Sequence, residues 1–290
     1  MEPRTPRPNH FPAHGIAVLV ATRNRDELLR SRSMPSIARQ HLSPDHLVVV
    51  NDGEPLERAT TVAIEAVPVR GTTSVLLNVQ ARGVAGAWNT GLAHLSSIGH
   101  TGYVALLDDD DEWDPEHLGV NWNAASAADA DGCVSGLRMC FAGQVVPRPL
   151  ISELRETDFL VGNPGWQGSN TFVHMRAIDA IGGFRAGLSS CNDRDLAIRL
   201  LRLPRRRWVL VPRWTATWHQ EQHPTLSSRG SPGKLEGLRQ FWLLYGSDMS
   251  PAEQDSFFER ARTRFGFDRD TVLGTESYTT VPRAHDGASQ

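Results

Sequence analysis

Four consecutive aspartates, Asp108 to Asp111, follow directly on the apolar run Tyr103-Val104-Ala105-Leu106-Leu107 and precede Glu112 and Trp113. A short apolar run bounded by polar residues reads as a buried strand, so the carboxylates emerge at its carboxyl end. Like charges crowded in one place repel unless a cation offsets them. A hard divalent ion such as Mg2+ or Mn2+ takes oxygen ligands, is held by one or two protein carboxylates and completes its shell with substrate phosphates. An acidic loop that caps the next helix is the plain structural alternative. The abrupt change from buried strand to charge favours the metal site.

The elements that would hold this run alternate along the first half. Residues 16–21 read as a buried strand, Thr22-Arg23-Asn24-Arg25 as a polar turn, and the stretch to Ala38 as a helix. A second strand over 46–50 ends in Asn51-Asp52-Gly53, and residues 61–69 contain a third. Helices are expected over 84–97 and 115–128, on either side of the strand at 103–107. This alternation predicts an α/β fold with a mostly parallel sheet and helices on both faces. Ligands of such sheets sit beyond the carboxyl ends of the strands, where Thr22, Asp52 and the aspartate run all fall, so one crevice would collect them. The second half is less regular. It reads as a hairpin (132–141 and 144–148), a strand over 170–175 entered through a Gly/Pro-rich loop at 162–168, and a helix over 193–203. Short strands at 208–211 and 215–218, a polar loop to Pro232 and helices at 234–245 and 251–265 complete it.

A length of 290 residues and 40% hydrophobic content suit one large domain or two small ones. The net charge of -3 gives no reason to expect nucleic acid, and basic residues cluster only at 202–207. Nearly all the positive charge is arginine, and Lys234 is the sole lysine. Three cysteines without paired metal-ligand spacing suggest free thiols and a reducing, cytoplasmic address, with no zinc site. No apolar segment approaches a spanning length, so no integral membrane segment is expected. Residues 1–15 and 279–290 read as disordered ends.

The blocks Val20-Ala21-Thr22-Arg23-Asn24-Arg25, Val48-Val49-Val50-Asn51-Asp52-Gly53, Gly83-Val84-Ala85-Gly86-Ala87-Trp88-Asn89-Thr90-Gly91-Leu92 and the acidic run resemble successive motifs of family 2 glycosyltransferases of the A-type fold. Gly182-Gly183-Phe184 and Cys191-Asn192-Asp193-Arg194-Asp195 extend the match, which spans roughly 16–203. Each block is weak alone; their order and spacing make the set specific. The resemblance implies a Rossmann-like nucleotide-sugar half (16–130), a smaller acceptor-side half (131–218) and a mobile loop with C-terminal helices (219–278). It also implies metal-dependent, inverting transfer from a UDP-, GDP- or dTDP-sugar to an acceptor the sequence does not identify. Its expected cofactor is Mn2+ or Mg2+.

Carried over by position, Thr22 and Asp52 would contact the nucleoside, Asp108 and Asp109 the donor, and Asp110, with Asp111, the metal. Asp193 would be the catalytic base. Asn192 stands where the family often has glutamate, and Trp88 where arginine is common, so Arg25 or Arg82 would replace that donor contact. His219, after Trp218, would be a third metal ligand, with a surface histidine as the plain alternative. Arg229 and Lys234 would close on the diphosphate as part of a lid. Trp166, Gln167, Ser169 and Asn170, with Trp113, would line the acceptor pocket, aromatic faces packing well on sugars. Local roles compete at several positions: threonine after a strand caps helices, Asp-Gly is a turn pair, and Asp193 could simply cap. A sugar-phosphate nucleotidyltransferase is the nearest rival, but Thr22-Arg23-Asn24-Arg25 lacks the glycines of a triphosphate loop. A non-catalytic nucleotide-sugar-binding protein is the other, and a homo-oligomer is left open.

Overall fold

The computed structural model describes residues 15–220 and 228–274. The expected disordered ends, except Gly15, therefore lie outside the described residues, as does 221–227 of the expected loop. Nine strands form one sheet: β1 (Ile16–Thr22), β2 (His46–Asn51), β3 (Thr72–Leu77), β4 (Tyr103–Asp108), β5 (Glu112–Trp113), β6 (Gly132–Phe141), β7 (Gln144–Pro147), β8 (Thr171–His174) and β9 (Trp208–Gln220). Their order is β3-β2-β1-β4-β8-β6-β9-β5, with β7 on β6. The first four strands run parallel, as the alternating pattern predicts, while β8 runs antiparallel between β4 and β6.

Strand β1 shows why helices cover both faces. All seven residues are buried, and they alternate between two cores: Ala17, Leu19 and Ala21 in one, Ile16, Val18 and Val20 in the other. A two-residue side-chain period makes that division unavoidable. The helix Val84–Ser97 comes so near the sheet that a Cβ on Gly91 would stand 2.2 Å from Leu19 Cδ1, so a larger residue would force the Leu19 side chain to move.

Two expectations are corrected here. Residues 61–69 do not hold a strand; Arg58–Glu65 is a helix and the third strand lies later, over β3. The β-branched residues Thr61, Val62 and Ile64 suggest a strand, but burial falls on Thr60 and Ile64, which are four apart on one helical face. A crossover between parallel strands needs that helix. The two short strands at 208–218 are one strand, β9, whose pairing with β6 shifts register around Gly136, where Trp214 rather than Pro212 is opposed. Proline cannot donate to a ladder, so the irregularity absorbs it.

Chain connection places the acidic residues. Asp108 ends β4 in the middle of the sheet, and four residues later β5 pairs with β9 at the far end of the strand order. The sheet therefore curls, and the turn between β4 and β5 sits where its middle and its β5 end approach.

Candidate active site

The turn closes through the Asp111 amide, which donates to Asp108 O at 3.2 Å. Its four carboxylates have different surroundings. Asp109 is buried and accepts from Thr22 Oγ1 at 2.8 Å and Arg25 Nη1 at 2.9 Å. Asp111 is fully buried and accepts from Ser169 Oγ at 2.5 Å and from the His219 amide at 2.9 Å. Asp110 keeps solvent access and meets only the other side of Arg25 Nη1, at 2.8 Å, while its carbonyl accepts from Arg32. Asp108 is partly buried, with the Ser169 hydroxyl 3.5 Å away. Burial, then the neighbouring charges of Asp111, Asp110 and Asp193, hold the Asp108 carboxyl well above the ordinary range. Burial does the same to Asp111, and neighbouring Asp110 adds to it.

Across from this turn begins the helix Asn192–Leu201. Its N-cap, Cys191, adopts a left-handed conformation at φ 68, a strained geometry for a side chain with a Cβ that directs the chain sharply into the helix. Asp193, in the first turn, receives a hydrogen bond from the Gly168 backbone N–H. Burial raises its carboxyl to about 6, against the opposing pull of Lys234 and that N–H. Gly168 also faces the acidic turn: a Cβ there would lie 3.2 Å from both Asp108 carboxylate oxygens and from Trp88 Cη2. One glycine thus separates the two acidic groups, and the absence of a side chain keeps them close.

Lys234 is buried beside them, its Nζ 3.8 Å from Cys191 Sγ and 4.5 Å from the Phe265 ring centroid. The Cys191 thiol, raised by burial but more strongly lowered by Lys234 and Arg194, sits below the usual thiol range. Asn192 is buried with Oδ1 unpartnered among the described residues.

Several expected site residues take other places. Thr22 is buried against Asp109 and presents no free hydroxyl. Asp52 ties two loops, accepting from Asn78 Nδ2 at 2.6 Å and the Gly83 amide at 2.8 Å. Asp111 is turned inward, as its two partners require. His219 does reach the acidic turn, since β5 pairs with β9, but its Nε2 lies 3.1 Å from Glu112 Oε1. Among the described residues, no three His, Cys, Asp or Glu side chains form a ready metal cage.

The expected acceptor stretch is mostly core. Trp166 and Trp113 are buried because each indole N–H finds an internal acceptor, Thr171 Oγ1 at 2.8 Å and the Ser169 carbonyl at 2.6 Å. Gln167 and Asn170 cap each other around the turn Gly168–Asn170, and Asn170 Nδ2 also bonds the Ser135 carbonyl at 2.6 Å. Arg229 bonds the Thr263 carbonyl at 2.7 Å, and Arg82 is exposed. Sequence reasoning missed Cys191 and the backbone of Gly168. The position of Cys191 directly before the acidic pair was the available signal.

The family described as Glycosyl transferase family 2 matches residues 17–199, a stretch that contains both acidic groups. The chain belongs to that family. A relative, the succinoglycan biosynthesis protein ExoW of Rhizobium meliloti (strain 1021), is 29% identical over 116 residues. That match covers 40% of this chain and 35% of ExoW, about a third of its length. Among solved structures, S. aureus TarS 1-349 in complex with UDP-GlcNAc superposes with a TM-score of 0.63 at 17% identity, covering 91% of this chain and 76% of that one. The Pyrobaculum calidifontis mannosyltransferase PcManGT, in complex with GDP-Man and Mn2+, superposes at 0.53 with 19% identity, covering 86% and 70%. These likenesses show the A-type glycosyltransferase fold.

Proposed function

We propose that this family 2 protein is an inverting glycosyltransferase that takes a nucleotide-diphosphate sugar at the acidic turn and passes the sugar to an acceptor activated by Asp193. The observation that carries the reading is Gly168, which adjoins both carboxylates: its N–H bonds Asp193 and its bare Cα lies beside Asp108. Displacement with inversion needs its leaving group and its base on opposite faces of the anomeric carbon. The acceptor hydroxyl oxygen bonds to that carbon, the bond to the diphosphate oxygen breaks, Asp193 takes the proton, and the electron pair leaves with the nucleoside diphosphate. A carboxyl raised to about 6 is basic enough for this work and unprotonated near neutrality. TarS in complex with UDP-GlcNAc and PcManGT in complex with GDP-Man are consistent with such a donor.

A divalent cation fits the acidic turn. Asp108 and Asp110 retain partial exposure, and the crowding that raises Asp108 is the condition a cation relieves. Two carboxylates suffice where substrate phosphates complete the shell, so the lack of a third protein ligand agrees with Mg2+ or Mn2+. Such an ion, when bound, stabilises the departing diphosphate as a Lewis acid. The protein's own part is positioning: Arg25 bridges Asp109 and Asp110, and Ser169 and His219 fix Asp111 behind them. Product formation with a panel of UDP-, GDP- and dTDP-sugars in Mn2+ tests the proposal. Sugar transfer to water or to an added acceptor is expected; a chain that binds no nucleotide sugar contradicts it.

A further inference from the structure

Beside Gly168 a buried hydrogen-bond donor stands without an acceptor. Trp113, Trp166 and Trp214 each bond a backbone carbonyl or a hydroxyl through the indole N–H, at 2.6, 2.8 and 2.8 Å. Trp88 is only 2% exposed, yet its Nε1 has no partner among the described residues. Trp208 Nε1 is unpartnered too, but at the opposite end of β9 from His219. An indole N–H donates and never accepts, so only an acceptor atom satisfies it. Burying it without one costs free energy, which a ligand that supplies the acceptor recovers.

Trp88 is firmly placed. It lies on the helix Val84–Ser97 and packs on Phe184 at 4.5 Å between ring centroids, while Asn89, the next residue, bonds both the Phe184 N–H and its carbonyl at 2.8 Å. Its Cη2 atom and both Asp108 carboxylate oxygens lie 3.2 Å from the same point, the position a Cβ on Gly168 would take. Within an indole, Cη2 and the N–H belong to one edge of the ring system. The edge that carries the stranded donor therefore borders Gly168, whose own N–H bonds Asp193. A donor that reacts here has its diphosphate at the acidic turn and its anomeric carbon before Asp193, so the group that passes Trp88 is the transferred sugar. A carboxylate on that sugar would meet the charges of Asp108 and Asp193 with only a neutral N–H to offset them, so the oxygen that suits Trp88 is uncharged.

We propose that Trp88 is a specificity-determining residue of the donor site, its indole N–H donating to an uncharged oxygen of the transferred sugar, either a hydroxyl or the carbonyl of an acylamino group. This rests on the donor reading above and deepens it by naming the chemistry through which the sugar is told apart from the nucleotide that carries it.

The test uses the full chain in Mn2+ with UDP-glucose, UDP-N-acetylglucosamine, GDP-mannose and dTDP-glucose, and with UDP, GDP and dTDP alone. Calorimetry compares the parent with W88F, which keeps an aromatic ring and loses the N–H, and with a chain carrying benzothienylalanine at position 88, which replaces the N–H by sulfur at nearly unchanged size. Melting curves accompany both, and the sulfur isostere decides should the void left by W88F loosen the fold. Loss of one neutral hydrogen bond predicts nucleotide-sugar binding about three- to tenfold weaker than in the parent, with the nucleoside diphosphate bound within about twofold of it. Analogues of the bound donor that each lack one oxygen-bearing substituent locate the contact. One of them should lose about ten- to a hundredfold in the parent, where it strands the buried N–H, and far less in the isostere chain. An N–H that served the fold alone would weaken sugar and diphosphate alike. An unchanged ratio of sugar to diphosphate affinity in the isostere chain overturns the proposal, as does an analogue panel whose losses are the same in both proteins. A parent that binds no nucleotide sugar ends the donor reading, and the role of Trp88 falls with it; a parent that binds one as tightly as its isostere chain ends the role of Trp88 alone.

Discussion

At the acidic turn, Asp109 and Asp111 spend their oxygens on Thr22, Arg25, Ser169 and the His219 amide, whereas Asp193 at the head of its helix has one backbone N–H and a nearby lysine. The first arrangement immobilises carboxylates; the second leaves one able to change protonation. Charge fully engaged by protein groups positions its neighbours, and charge engaged loosely is free to act on a ligand. By that measure the proposed reading gives Asp108, Asp110 and Asp193 the acting roles, with Asp109 and Asp111 as their supports.

The sharpest way to break this comparison is Asp193→Asn. Shape and capping ability survive while basicity is lost, so transfer falls by about 10²- to 10⁴-fold with the melting temperature nearly unchanged. Single-turnover rates and a melting curve check both halves of that statement. Asp110→Asn comes next: removing a charge that, on the proposed reading, would hold the cation is expected to weaken donor binding in Mn2+ by about 10- to 100-fold, using roughly 1.5–3 kcal/mol for a charged contact. Calorimetric donor affinity is the readout, and an unaltered value would move the metal away from Asp110. Third, a base raised to about 6 is protonated below that pH, so log(kcat/KM) should fall by about one unit per pH unit there and level off above. Lys234→Met removes a charge that favours the carboxylate, so the same limb moves to higher pH. A pH profile indifferent to both Asp193 and Lys234 would leave the second region without its chemical role. The smallest effect is at a support. Asp111→Ala strands the Ser169 hydroxyl and the His219 amide and destabilises the fold by about 1–3 kcal/mol, measured by denaturant unfolding.

The residues to which the proposal gives the chemistry are legible in the sequence because spacing and charge single them out. A buried strand ending in four aspartates has few uses, and the order of the family's blocks fixed where Asp193 should stand. The parallel half of the sheet was legible for a related reason, since strands buried on both faces read as continuous apolar runs. What stayed hidden depended on contacts distant in sequence. Nothing local says that Asp111 turns inward to meet Ser169, 58 residues away, or that the His219 amide closes over it. Trp113 and Trp166 look like sugar platforms until their indole N–H groups are seen bonded inside the core. The helix Arg58–Glu65 is hidden in the sequence because its β-branched residues favour strands locally, and the crossover between β2 and β3 overrides them. Lys234 reads in the sequence as part of a lid over the diphosphate, and its burial beside Cys191 comes only from three dimensions.

The division of labour is tested most directly by calorimetric titration of UDP-, GDP- and dTDP-sugars into the full chain, first in Mn2+ and then in excess chelator, for the parent and for Asp193→Asn. One donor class should bind tightly in Mn2+ and lose most of its affinity in chelator, equally in both proteins, because the acidic turn holds the donor and Asp193 does not. Donor affinity that ignores the chelator, or that collapses in Asp193→Asn, would contradict it.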